Sequence, residues 1–218
     1  MNTEPMAKDL TAYRENPREQ ARVHDLFRLL PPAGALALDV GARDGYLSRL
    51  LADRFDRVIA LDLQRPSVEH PRVLAVEGNV TQLEYADNSF DAVICAEVLE
   101  HIPSALLERA CSEIVRVTAK TAVIGVPYRQ DIRLGRTVCG SCGKHNPPWG
   151  HVNSFDEDRL VELFAGMTLA RTSFVGNHPS IDQRGVGAST GFGGKSLRHL
   201  RAGRMLHSLR RYPHPSEA

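Results

Sequence analysis

The residues of this chain best placed for chemistry are two acids, each closing an apolar run, with a glycine-bracketed turn between them. Ala35-Leu-Ala-Leu-Asp39-Val-Gly41-Ala-Arg-Asp-Gly45 reads as a buried strand that ends in an acid and a sharp turn. Val58-Ile-Ala-Leu-Asp62 reads as a second strand ending the same way. Gly41 and Gly45 let the backbone reverse and approach a ligand with no Cβ in the way. After the turn, Leu47, Leu50, Leu51 and Phe55 recur at helical spacing, with Asp44 placed to cap the helix. This order is the first half of a nucleotide-binding βαβ unit, in which Asp62 can accept from both hydroxyls of a ribose.

The turn separates two classes of cofactor. A dinucleotide sets its pyrophosphate on the helix N-terminus and calls for G-x-G-x-x-G, whereas Gly41-Ala-Arg-Asp-Gly45 places the Asp44 carboxylate where a phosphate would be repelled. S-adenosylmethionine has no phosphate and carries an ammonium and a sulfonium, which an acid such as Asp39 favours. The charge pattern points to the methyl donor.

A second cluster lies in Cys139-Gly-Ser-Cys142-Gly-Lys-His145-Asn-Pro-Pro-Trp-Gly-His151. Cys-x-x-Cys followed by glycine is a knuckle that brings backbone amides to thiolate sulfurs, and Cys139, Cys142, His145 and His151 have the types for one tetrahedral, structural zinc. Two readings stand beside it: reduced loop thiols without metal, and His151 facing a substrate from a lid.

With these residues in view, the chain resembles the class I S-adenosylmethionine-dependent methyltransferases over about residues 20 to 175. The similarity is greatest to the small-molecule group whose fourth strand reads like Phe90-Asp-Ala-Val-Ile-Cys-Ala-Glu-Val-Leu-Glu-His-Ile102. Bacterial members carry inserts with Cys-x-x-Cys-Gly and Gly-His. The resemblance implies a cofactor site built from Asp39, Gly41, Ala42, Arg43 and Gly45, from Asp62 and Leu63, from Asn79 and Val80, and from Ala96 and Glu97. Arg43 replaces the middle glycine of the first motif. Asn79 replaces an acid that faces the adenine amine, and its carbonyl oxygen can accept that bond. His101 and Tyr128 are the candidate catalytic residues. His101 is the candidate base, with helix capping or packing as its plain alternative; Cys95 reads as core.

These residues need a scaffold. The element order predicts an α/β fold: a doubly wound, mostly parallel sheet with helices on both faces. Asn16-Pro17-Arg18-Glu19 opens a helix with a capping box. Strands are expected at about 35–40, 57–62, 72–77, 90–96, 120–126 and 169–175. Helices are expected from Ser104, and from the capping box Ser154-Phe-Asp-Glu157 to Gly166. A seventh strand is not evident. The expected organisation is a flexible N-terminus over 1–15, a methyltransferase domain over 16–176 with a Cys/His insert at 128–153, and a glycine- and arginine-rich tail over 177–218. That tail reads as poorly ordered or, over 196–209, as a short basic helix.

The chain has 218 residues, 42% hydrophobic, and a formal net charge of +1. That balance gives no reason to invoke nucleic acid. No apolar run has the length of a membrane span and the N-terminus lacks a signal-peptide core, so a cytoplasmic setting is expected. Three functions fit: transfer of a methyl group to an O, N or C nucleophile of a small molecule, the same reaction on RNA or protein, and a non-catalytic partner with the same fold. Asp39 and Asp62 favour catalysis. The zinc expectation is tested by metal analysis of the purified protein: stoichiometric zinc, lost in Cys142→Ser, supports it, and metal-free parent protein removes it.

Overall fold

In the computed structural model, residues 10–134, 136–138, 143, 145–146, 148–175 and 204–211 are described. The expected zinc ligands Cys139 and Cys142 lie outside these residues. A short helical turn, α1 (Thr11–Arg14), and α2 (Pro17–Leu29) precede β1 (Gly34–Val40), α3 (Tyr46–Leu51), β2 (Phe55–Asp62), β3 (Val73–Glu77) and β4 (Phe90–Ala96). Then follow α4 (Ser104–Val117), β5 (Thr118–Pro127), the two-residue strands β6 (Thr137–Val138) and β7 (His145–Asn146), α5 (Glu157–Leu163), β8 (Thr168–Val175) and β9 (Arg204–Arg210).

Seven strands form one sheet in the order β3-β2-β1-β4-β5-β9-β8. The pairs from β3 through β5 are parallel, and β9 is antiparallel to both β5 and β8. The fold is therefore the doubly wound, mostly parallel one expected. β1, β4 and β5 are near-continuous apolar runs because both of their faces are covered. On one face Leu38, Val93 and Ile124 pack with Leu107 and Ile114 of α4 and Leu160 of α5. On the other, Ala37, Ile94 and Val123 pack with Leu26 and Leu29 of α2 and Leu51 of α3.

Five local expectations are corrected. Asn16 caps α2, its Oδ1 accepting from Arg18 N–H at 2.9 Å, but Glu19 turns inward to pair with Arg22 and to accept from Tyr13 at 2.9 Å. Asp44 does not cap α3: Gly45 stands at that position, while Asp44 pairs with Arg14 and accepts from Tyr46 N–H at 3.3 Å. That ion pair, with the Arg14 guanidinium 4.4 Å from the centre of the Tyr46 ring, holds residues 11–14 as a helical turn where a flexible terminus was expected. α3 also ends at Leu51, and Phe55 opens β2. α5 is capped by Asp156, which accepts from Arg159 N–H at 3.1 Å, in place of Ser154.

The larger correction is β9. Residues 204–210 are neither helix nor loose tail but an interior strand of the sheet. Met205 and Leu209 enter one core layer and Leu206 the other; Ser208 donates to Leu29 O at 3.3 Å. A strand buried on both faces shows no apolar alternation, and Met205, Leu206 and Leu209 have a spacing that also suits a helix. Replacing Leu206, which is fully buried, by alanine should cost about 2–5 kcal/mol in denaturant unfolding. A loss well under 1 kcal/mol would contradict its place in the core.

Candidate functional site

The turn after β1 is welded to the end of β2. Gly41 N–H and Ala42 N–H both donate to Leu61 O, at 2.8 and 3.0 Å, and Arg43 N–H donates to Asp62 Oδ2 at 2.8 Å. This requires left-handed backbone at Gly41 (φ +75°), Arg43 (φ +54°) and Gly45 (φ +73°). A Cβ on Gly41 would stand 2.3 Å from Val98 Cγ2, so glycine is obligatory there. Arg43 thus adopts the conformation of the glycine it replaces, at a cost of roughly 1–2 kcal/mol, and its amide fixes the Asp62 carboxylate.

Above this turn, across the carboxyl ends of β1, β2, β3 and β4, lies a cleft of about 500 Å³. Parallel α/β sheets bind ligands at this edge. Gly41, Arg43, Asp62, Leu63, Asn79, Val80, Glu97 and His101 line it, so eight residues singled out from the sequence meet in one place. Glu97 is strained, with φ +60°, and its N–H donates to Gly125 O at 2.8 Å. Such strain in a non-glycine residue beside a cleft is a common mark of function.

The other expected residues are placed differently. Asp39 is buried beneath the turn, where it accepts from Ser48 Oγ at 2.5 Å and is absent from the lining. Burial pushes its carboxyl up to about 7, against the Ser48 hydrogen bond, and the charges of Asp62 and Asp44 add to the rise. Asp39 therefore supports the turn and does not face a ligand cation. Ala42, Gly45 and Ala96 are likewise absent from the lining. The Asn79 carbonyl oxygen, expected to face adenine, accepts from Thr81 N–H and Thr81 Oγ1, both at 2.9 Å. Tyr128 is buried; its hydroxyl donates to Glu157 Oε1 at 3.1 Å, and its ring packs edge-on against Phe174, away from the cleft. It reads as part of the frame and not as a catalytic group.

At the mouth of the cleft the His101 and His151 rings meet edge to face, 4.7 Å apart. Partial burial lowers the His101 pKa below the ordinary 6.5, opposed by a hydrogen bond to the backbone of Gly150, so the imidazole is a neutral base at pH 7. His151 is buried and donates from Nδ1 to Gln130 Oε1 at 2.6 Å, the direction set by the amide oxygen. Glu100, His101 and His151 bring ligand-type atoms within 4.8 Å of one another. His151 thus packs against His101, which lines the cleft, while His145 is exposed on β7 opposite Val138. Sequence reasoning missed Thr81, Val98 and Gln130, along with Asn153, which donates to Leu99 O and Ile102 O at 2.9 and 2.6 Å and so ties the insert to the His101 loop. Only their nearness to named motifs marked them.

Residues 38–125 match the family model described as a methyltransferase domain. The ubiquinone biosynthesis O-methyltransferase of Xanthomonas axonopodis pv. citri is 37% identical over 103 residues, 42% of this chain and 43% of the relative. That of Leptothrix cholodnii is 33% identical over 95 residues, 38% and 40% of the two chains. The chain thus aligns with about two-fifths of the length of these relatives. Among solved structures, the N-methyltransferase NodS from Bradyrhizobium japonicum WM9, in complex with S-adenosyl-l-homocysteine, superposes with a TM-score of 0.67 at 17% identity, covering 94% of this chain and 93% of that one. The 1,6-didemethyltoxoflavin-N1-methyltransferase of Burkholderia thailandensis gives 0.64 at 17% identity, covering 93% and 82%. These likenesses establish the fold.

The Asp39 environment has a consequence for stability. Its folded pKa, about 7, lies above the ordinary 3.8. Unfolding therefore releases a proton between those values, and Asp39 lowers stability progressively as pH rises from about 4 to 7. Asp39→Asn keeps an acceptor for Ser48 and should be more stable than the parent at pH 7, with the difference vanishing near pH 4. Denaturant unfolding at both pH values checks this; a variant less stable at pH 7 would contradict it.

Proposed function

We propose that this chain is an S-adenosylmethionine-dependent methyltransferase acting on an oxygen, nitrogen or carbon nucleophile of a small molecule. The observation that carries the reading is the cleft at the strand ends with Asp62 held at its floor by Arg43 N–H, inside the segment that matches the methyltransferase model. The residues fit the cofactor: Asp62 offers carboxylate oxygen to a ribose diol, and Gly41 leaves backbone exposed where a side chain would intrude. When bound, the cofactor supplies a methyl group already activated on a sulfonium, so alignment and exclusion of water are the main demands on the protein.

His101 is placed to take a proton from the acceptor, with His151, held by Gln130, packed against it. Leu106 lines the cleft, and Trp149, 74% exposed on the insert, has its ring 5.9 Å from that of His151. The names of the curated relatives favour an oxygen nucleophile, whereas those of the structural neighbours favour nitrogen. A structural zinc held by Cys139, Cys142, His145 and His151 belongs to the proposal. So does a cytoplasmic setting; no described helix is long and apolar enough to cross a membrane.

Calorimetric titration with S-adenosylmethionine and S-adenosylhomocysteine tests the reading. Asp62→Ala should weaken both by roughly 10- to 100-fold while the protein still unfolds cooperatively, with at most a modest loss of stability from the missing Arg43 N–H partner. His101→Gln should bind both normally but transfer methyl groups roughly 10²- to 10⁴-fold more slowly. Parent protein that is folded and binds neither would overturn the proposal.

A further inference from the structure

The strand order assigns positions along the cleft. His101 and Glu97 follow β4, the turn follows β1, Asp62 ends β2, and Asn79 follows β3, in the spatial order β4-β1-β2-β3. With neighbouring strands about 4.8 Å apart, the line from His101 to Asn79 crosses roughly 14 Å. If the ribose sits at Asp62 and the reacting end at His101, the purine lies beyond Asp62, over Leu63, Asn79, Val80 and Thr81.

Asn79 has one carbonyl oxygen and one NH₂ group. The oxygen is fixed by two donors of one residue, Thr81 N–H and Thr81 Oγ1, both at 2.9 Å. The backbone donor settles the orientation of the amide, since a nitrogen at that position would face an N–H. A further bond, from Gln82 N–H to Asn79 O at 2.9 Å, holds the same turn. Asn79 lines the cleft, and with its oxygen engaged the side-chain group it has left to offer is its NH₂, a donor. Adenine carries a donor at its 6-amino group and an acceptor at N1, whereas a 6-oxopurine carries an acceptor at position 6 and a donor at N1, so each form offers the Asn79 NH₂ one acceptor.

Resting on the methyltransferase reading, we propose that Asn79 is a specificity-determining residue that meets the purine as a hydrogen-bond donor, so that the site takes a 6-oxopurine cofactor analogue as readily as the adenine form. With both lone pairs of the Asn79 oxygen taken, the 6-amino group finds an acceptor there only if Thr81 gives up one of its bonds. An aspartate at this position would reverse the preference. One carboxylate oxygen would still accept from Thr81, preserving the turn, and the other would accept from the 6-amino group, whereas a 6-oxopurine would offer it only the N1–H beside a repelling 6-oxo oxygen.

Calorimetric titration of the full chain with S-adenosylhomocysteine and with S-inosylhomocysteine, its 6-oxo counterpart, tests this in both the parent and Asn79→Asp, with thermal melting as the control for folding. The parent should bind the two within roughly fivefold, and Asn79→Asp should prefer the adenine form by more than about tenfold. A parent that already prefers the adenine form by more than about tenfold would overturn the proposal, as would a ratio that the substitution leaves unchanged. Should the variant melt early, the parent ratio alone decides. A folded parent that binds neither nucleoside would overturn the methyltransferase reading, and this inference with it.

Discussion

Three consecutive amides of one turn hold the end of the neighbouring strand, and the rest of the site depends on that clamp. Gly41 and Ala42 bond to Leu61 O, and Arg43 bonds to the Asp62 carboxylate. Register between β1 and β2 already brings Val40 beside Leu61; the turn converts that register into a fixed carboxylate at the floor of the cleft. The clamp needs left-handed backbone at three positions, supplied twice by glycine and once by Arg43 against its steric preference. Beneath it the buried Asp39 receives the Ser48 hydroxyl and ties the start of α3 to β1. A charged group placed there is costly, which is why its carboxyl titrates near neutrality.

The two ends of the cleft are built on different terms. The end around Asp62 and Asn79 consists of strand ends and tight turns whose geometry follows from the parallel sheet. The end around His101 is braced by chain that returns after β5. Val152 N–H donates to Glu100 O at 2.7 Å, Asn153 bonds to two carbonyls of the His101 loop, and Gln130 orients His151. The insert is thereby fastened to the segment carrying the candidate base, so a change in the insert alters the mouth of the cleft without disturbing the clamp. β9 completes the frame by covering β5 on the side away from β4.

The legible parts of the sequence were those governed by local rules. Apolar runs closed by glycine or acid marked β1, β2 and β4 closely, and eight of the residues picked out for chemistry do line one cleft. Long-range pairing was not legible. β9 lies between β5 and β8, with about thirty residues separating it from β8, and no local pattern shows that Met205, Leu206 and Leu209 will be buried on two faces. Tyr128 failed as a catalytic candidate because position after a strand does not determine where the ring turns; Glu157 and Phe174 decide that. Asn79 lines the cleft, but the use of its oxygen is set by Thr81, two residues on.

The central claim is that one cleft, at the carboxyl ends of β1 to β4, takes the cofactor along its length. Amide hydrogen exchange of the full chain with and without S-adenosylhomocysteine tests it most directly. The account predicts slowed exchange in segments 41–46, 62–63, 78–82 and 97–102 and little change elsewhere. Protection concentrated in the groove between α4 and α5, around Glu108, Arg159 and Glu162, or no protection on saturating ligand, would contradict it.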